Sequence, residues 1–275
     1  VTMPKAWIEM IHRYVGALLG LMMIGFTVLA WRWRNTIGRT HWLPTFTLLA
    51  VCIQGAFGAW TVTLKLMPII VTIHLLGGMT LMALMTWLAA REKQHTPINP
   101  ENRRYSPWVG FGLVLLFMQI GLGGWVSTNY AALACMDFPT CNGAWIPKMD
   151  LANGFSLVRG LGELPSGEAI SQKALVGIHW VHRNFAWVIF AYLGTLAWRL
   201  RSDPGLRGPC HLIFVLLFAQ LITGLTTIFF QWPLLVSVLH IAGAAGLTIA
   251  VVTLLVRVYG IRPAKVSQAG MPQFA

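Results

Sequence analysis

Residues 54–78 read QGAFGAWTVTLKLMPIIVTIHLLGG, and residues 220–244 read QLITGLTTIFFQWPLLVSVLHIAGA. The two stretches carry one pattern twice. Gln54, Gly58 and Thr61 recur as Gln220, Gly224 and Thr227, at i, i+4 and i+7. Twenty residues separate Gln54 from His74, and twenty separate Gln220 from His240. Pro68 and Pro233 each precede their histidine, and upstream His12-Arg13 is answered by His182-Arg183. The chain therefore encodes two related hydrophobic halves, each with one early and one late histidine. Both halves run in the same direction, as in a parallel repeat about an axis along the membrane normal.

The rest of the composition says where such halves reside. The 275 residues are 56% hydrophobic and 10% charged, with a mean hydropathy of +0.66. A water-soluble domain of this size has no interior large enough for that apolar content, so the class is an all-α polytopic membrane protein. Runs long enough to cross a hydrocarbon core of ~30 Å predict seven spans, at about 9–32, 42–63, 68–90, 108–128, 174–198, 209–230 and 233–257. Trp31, Trp33, Trp42, Trp87, Trp108, Trp198 and Trp232 crowd their ends, as interfacial belts do. The formal charge of +12 invites a nucleic-acid role, but its distribution excludes one. Arg32, Arg34 and Arg39 share one loop, and Arg91, Lys93, Arg103 and Arg104 a second. Arg199, Arg201 and Arg207 share a third, and Arg257, Arg262 and Lys265 sit in the tail. All fall on one side of the seven-span plan, which the positive-inside rule makes cytoplasmic. Residues 1–8, the 63–68 turn and the 129–173 loop then lie outside. No signal peptide is visible.

The predicted organisation is an N-terminal half (1–92), a cytoplasmic linker (93–107), a C-terminal four-helix bundle (108–260) and a cytoplasmic tail (261–275). The second half has a leading span that the first lacks. The pair reads as two pseudo-repeated four-helix bundles with the first helix of the N-terminal half missing. Histidines on facing helices are one way a bundle builds a cofactor site in its core. Gln, Gly and Thr at i, i+4 and i+7 share a helix face, either for inward hydrogen bonds or as small-residue packing.

Four of the eight histidines, His12, His74, His182 and His240, fall in apolar segments near the outer ends of their spans. Intramembrane ionisable groups are expensive and point to function. Zinc or copper prefers several ligands converging on one point. One histidine on each of two helices suits instead the two axial positions of a haem, whose imidazole ligands need partners for their second nitrogens. Gly16, Gly20, Gly77, Gly78, Gly243 and Gly246 leave room for a large flat ring. Arg13 and Arg183 either pair with haem propionates or snorkel to lipid phosphate. Glu9, three residues before His12, marks an asymmetry, because His179 stands three residues before His182. A half-buried carboxylate beside a cofactor can take up or relay protons; the alternative is a solvated interfacial acid. The first half thus carries a group for chemistry, and the second only ligands. Cys52 and Cys210 read as incidental. Cys135 and Cys141 lie in the outer loop, where an oxidising compartment favours a disulfide over a metal pair or free thiols, and no C-x-x-C-H haem attachment is present.

Glu9-Met-Ile-His12-Arg13 resembles the E-x-x-H-R signature of the heme A synthase family. His74, His182, His240, the Cys135/Cys141 loop and the duplicated plan match that family in order and spacing over roughly residues 5–260. The resemblance implies an oxidoreductase of the bacterial plasma membrane that converts haem O to haem A for terminal oxidases, taking a ring methyl to a formyl group by successive hydroxylations. It implies that His182 and His240 ligate a haem b, that His12 and His74 flank the substrate haem O, that Glu9 is the catalytic carboxylate, and that Cys135 and Cys141 form a disulfide. Haem O synthase and a membrane electron donor or acceptor would be partners. The family has eight spans, so the resemblance also implies a helix ahead of Val1 that would wall the first site. His179 is extra to its four ligands, as a supporting partner or an alternative to His182. The competing readings are a diheme b-type cytochrome, which needs two equivalent bis-histidine sites and no carboxylate at one of them, and a haem transporter.

Overall fold

Apolar runs of this length have one solution in a bilayer, because each backbone N–H and C=O must be satisfied within its own segment. A computed structural model describes residues 3–37 and 41–260. Arg39, Arg262, Lys265 and the tail 261–275 lie outside them. Among the described residues seven long helices of 22 to 30 residues form: α1 (Met3–Arg32), α3 (Trp42–Thr63), α4 (Pro68–Glu92), α5 (Ser106–Thr128), α7 (Gln172–Leu200), α8 (Arg207–Phe229) and α9 (Leu234–Tyr259). Two short helices, α2 (Arg34–Ile37) and α6 (Leu151–Gly154), lie between them. Among the described residues no named strand forms, only isolated bridges such as Cys141 with Ala144.

Six of the seven long helices are long and apolar enough to cross a membrane. The chain is thus a multi-pass membrane protein, with one departure from the seven-span expectation. The exception, α7, has the length at 29 residues, but His179, His182, Arg183 and Asn184 interrupt its apolar run. The physical reason is its placement. It packs against α5 and α8 and receives the 129–173 segment through α6, so protein surrounds much of it.

The duplicated sequence folds into two duplicated hairpins, α3–α4 and α8–α9. In the first, Thr61 donates its hydroxyl to Gly58 O at 2.7 Å, and its carbonyl accepts from Leu66 N at 2.9 Å. In the second, Thr227 bonds Gly224 O at 2.6 Å and accepts from Trp232 N at 2.9 Å. Both turns hold two non-glycine residues in the left-handed region, Lys65 (φ 52°) with Leu66 (φ 60°), and Gln231 (φ 54°) with Trp232 (φ 62°). Side chains resist that conformation, so its recurrence shows the turn geometry itself to be conserved between halves. Pro68 opens α4 at its first turn, where no N–H is needed; Pro233 caps α9 one position earlier.

Helices α5, α7, α8 and α9 close into a ring, each touching its two neighbours. Leu116, Leu193, Ile213, Val251 and Leu254 fill its core. Helix α4 packs outside this ring against α5 and α9, α3 packs on α4, and α1 on α3. Leu18, Leu21 and Val28 of α1 remain exposed, a surface suited to lipid.

The connections are tied down as well. Arg159, 3% exposed, bonds the Asn129 side chain at 2.5 Å and the carbonyls of Ser156 and Glu163 at 3.1 Å. Its guanidinium lies over the Trp125 ring. Asp203 accepts from Asn99 N at 2.8 Å and Asn102 Nδ2 at 2.7 Å. This fastens the 93–107 segment to the α7–α8 turn.

Candidate functional site

Antiparallel succession puts the starts of α1, α4, α7 and α9 on one side, together with the 129–173 loop. All four paired histidines lie toward that side. His74 and His240 each sit six residues into their helix, about 9 Å along the axis at 1.5 Å per residue.

The repeated glutamine and glycine explain how the later histidines are held. Gln54 Nε2 donates to the His74 carbonyl at 2.5 Å, and Gln220 Nε2 to the His240 carbonyl at 2.9 Å. Each bond uses the second lone pair that a helical carbonyl keeps. The glutamines reach it because Gly77 and Gly243 follow the histidines by three. A Cβ there would lie 2.1 Å from Gln54 Oε1 or 2.2 Å from Gln220 Nε2. One turn on, Gly58 and Gly224 let the imidazoles lie against bare backbone, where a Cβ would stand 3.1 Å from His74 Cε1 and 3.5 Å from His240 Cε1. On the shared face the glutamines make the inward hydrogen bonds, the glycines serve as small-residue packing, and Thr61 and Thr227 bond carbonyls of their own helix.

A third copy of the device escaped the sequence reading. Gln119 Nε2 lies 3.2 Å from the His182 carbonyl and 3.1 Å from its Nδ1. A Cβ on Gly123 would stand 2.9 Å from His182 Cε1. Gln119-x-x-x-Gly123 is the same Gln-x-x-x-Gly spacing, so the signal was present in the letters. Thr223, whose Oγ1 lies 2.8 Å from His240 Nδ1, left no such signal, because it is not duplicated.

His12 and His74 meet edge to face, with ring centroids 6.4 Å apart. His12, Glu9 and Arg13 are exposed on α1, and Arg13 Nη2 bonds Glu9 Oε1 at 2.5 Å. In the second half His182 and His240 are half-buried. Arg183 donates to Thr140 O at 3.1 Å and Pro139 O at 3.5 Å, while its Nη1 is buried without a partner. Cys135 and Cys141 form the disulfide. His179 does not present itself as a ligand. Its Nδ1 accepts from Cys135 N at 3.2 Å, which places the hydrogen of the neutral ring on Nε2.

These residues fit a haem. A metal–imidazole bond of about 2 Å on either side of an iron, plus ~1 Å from nitrogen to ring centre, separates two axial rings by roughly 6 Å, the His12–His74 spacing. The orphaned Arg183 Nη1 supplies a donor for a carboxylate beside His182. Among the described residues no three histidines, cysteines or carboxylates converge as a compact metal site would need.

Fold and site together define a multi-pass helical membrane protein in which His74 and His240 are held alike by duplicated hairpins, with His12 of α1 and His182 of α7 toward the same side. The family model of the cytochrome oxidase assembly proteins (COX15-CtaA) matches residues 1–252. Heme A synthase of Shewanella oneidensis is 38% identical over 254 residues, 91% of this chain and 76% of that protein. Heme A synthase of Halalkalibacterium halodurans is 29% identical over 85% of this chain and 73% of its own length, and that of Alkalihalophilus pseudofirmus 27% over the same shares. The chain belongs to the heme A synthase family, and it is an oxidoreductase.

Proposed function

We propose that this chain oxidises one ring methyl of haem O to a formyl group, yielding haem A for terminal oxidases. The observation that carries the reading is the difference between the halves: Glu9 stands one turn before His12, and His179, committed to the loop, stands there in the second half. Two hydroxylations of the methyl by water give a geminal diol, and loss of one water leaves the aldehyde. The net change releases four electrons and four protons, so a base beside the substrate is required and a membrane electron acceptor must take the electrons.

In this reading His12 and His74 flank haem O. Glu9, oriented by its Arg13 pair, takes up protons as the methyl is hydroxylated. His182 and His240 hold a haem b, which when bound supplies one-electron redox chemistry. The free Nη1 of Arg183 takes a propionate; Arg13 offers its remaining nitrogens to one in the first half. The 129–173 loop faces outward and the tail the cytoplasm, as the basic loops direct. Haem O synthase is the expected donor of substrate. A diheme electron carrier is disfavoured, since it has no use for a carboxylate at only one of two equivalent sites.

Extraction and chromatography of haems from cells making the full-length protein with a haem O source test the reading. Haem A appearing only with the protein supports it; unconverted haem O beside bound haem b refutes it.

A further inference from the structure

Among the side chains that hydrogen-bond the late histidines, the two hairpins differ at one position. Thr223 of α8 corresponds to Phe57 of α3, three residues after the shared glutamine in each copy. Thr223 Oγ1 lies 2.8 Å from Ala219 O, 3.3 Å from Gln220 O and 2.8 Å from His240 Nδ1. A hydroxyl has one hydrogen, and the helical carbonyls behind it take that hydrogen. Its lone pair then accepts from Nδ1–H, which leaves Nε2 of His240 as the nitrogen with a free lone pair. Phe57 offers nothing equivalent, and His74 Nδ1 is buried with no partner. The His74 carbonyl and ring face are cradled as in His240, but its tautomer and rotation about the ring axis are not fixed.

We infer that the Thr223/Phe57 difference decides which haem stays and which leaves. This rests on the haem reading above and adds the basis for a resident group in one half and an exchanging one in the other. A ligand imidazole whose far nitrogen is hydrogen-bonded is oriented and made a stronger donor, and removal of such a partner typically weakens metal binding by about 10–100-fold. The second half holds its haem through a locked ligand. The first half, which must take up a substrate and surrender a product of nearly the same shape, has an apolar ring at the same place. Phe57 is therefore a positioning residue for turnover by what it withholds.

The test uses the purified full-length protein in detergent. It measures haem transfer to excess apomyoglobin, and the reduced-minus-oxidised spectrum of what remains. Thr223→Val should speed loss of the tightly held haem by about 10–100-fold, and Thr223→Ser, which keeps the hydroxyl, should restore the wild-type rate. Phe57→Thr should slow release of added haem from the first half by a comparable factor. Unchanged rates in Thr223→Val, with the wild-type haem firmly bound, overturn the inference and leave the haem reading standing. A wild-type protein that holds no haem overturns both.

Discussion

His179 Nδ1 accepts the backbone N–H of Cys135, 3.2 Å away, in a setting where both residues are buried. One turn before His182, α7 thereby grips the disulfide-closed segment of the 129–173 loop. His179→Ala removes the acceptor and leaves a buried N–H unsatisfied, a penalty of about 1–3 kcal/mol. The expected result is faster reduction of Cys135–Cys141 by a water-soluble phosphine, read by thiol labelling, with the resident haem spectrum retained. Loss of the haem with unchanged disulfide reactivity would make His179 a ligand after all.

The three glycines under the histidine rings give a graded series. A Cβ would lie 2.9 Å from the ring at Gly123, 3.1 Å at Gly58 and 3.5 Å at Gly224. Contacts under 3.0 Å force a displacement, whereas 3.5 Å is ordinary packing. Gly123→Ala should therefore disturb His182 most, Gly58→Ala should displace His74 by a few tenths of an ångström, and Gly224→Ala should be near neutral. Haem content per purified protein, compared for Gly123→Ala and Gly224→Ala, reads the second half. Equal content in those two would show that the rings are free to shift.

Much of this was legible in the letters, for a physical reason. Duplication writes the same constraint twice, so Gln54/Gln220, Gly58/Gly224 and Thr61/Thr227 stand out, and each pair has one structural role. The helices follow from hydropathy alone. What failed to show was a side chain whose role is set only by its neighbours in the fold. Thr223 is unduplicated, and Arg183 finds Thr140 and Pro139 only through the folded loop. Helix α7 forms where the span over 174–198 is expected, but its polar centre, sheltered by neighbouring helices and loop, keeps it below the apolarity of the other six. Gln119 was a readable signal overlooked, since its Gln-x-x-x-Gly spacing lies in a helix with no visible twin.

Glu9 is the residue on which the enzymatic reading turns. General acid–base groups contribute roughly 10²–10⁴-fold, so Glu9→Gln should lower haem A formation by at least the lower bound. The spectrum of the haem held by His182 and His240 should be unchanged. Stability should barely move, because the exposed Glu9–Arg13 pair is of an i,i+4 type worth about 0.3–0.5 kcal/mol. Haem chromatography and thermal denaturation of the same preparations check the two halves of this statement. Collapse of haem binding in Glu9→Gln would remove the division of labour between the halves.

Conversely, His182→Ala or His240→Ala should abolish the resident haem spectrum, because each leaves an iron with one protein ligand. His12→Ala should spare that spectrum and stop product formation. Visible spectra of the four single variants, His74→Ala included, decide the assignment. A spectrum lost in His12→Ala and kept in His182→Ala would reverse the two halves.

The loop above the second site is held by a carboxylate that does not titrate in the physiological range. The Thr140 hydroxyl, then the backbone N–H groups of Gly143 and Asn142, bond Asp137 and hold its pKa down to about 2. A folded value below the unfolded one of about 3.9 means that its contribution is complete above the unfolded value and is lost as pH falls through about 2. Because Arg183 bonds the carbonyls of Pro139 and Thr140 within this segment, the clasp also fixes the guanidinium beside His182. Amide hydrogen exchange at Asn142 and Gly143, corrected for intrinsic rates, should therefore show constant protection from pH 5 to 8. Asp137→Asn, which imitates the protonated acid, should lose that protection at pH 7 and weaken haem retention in the second half. Protection in the variant equal to that of the wild type would show that the disulfide and Arg183 hold the loop without it.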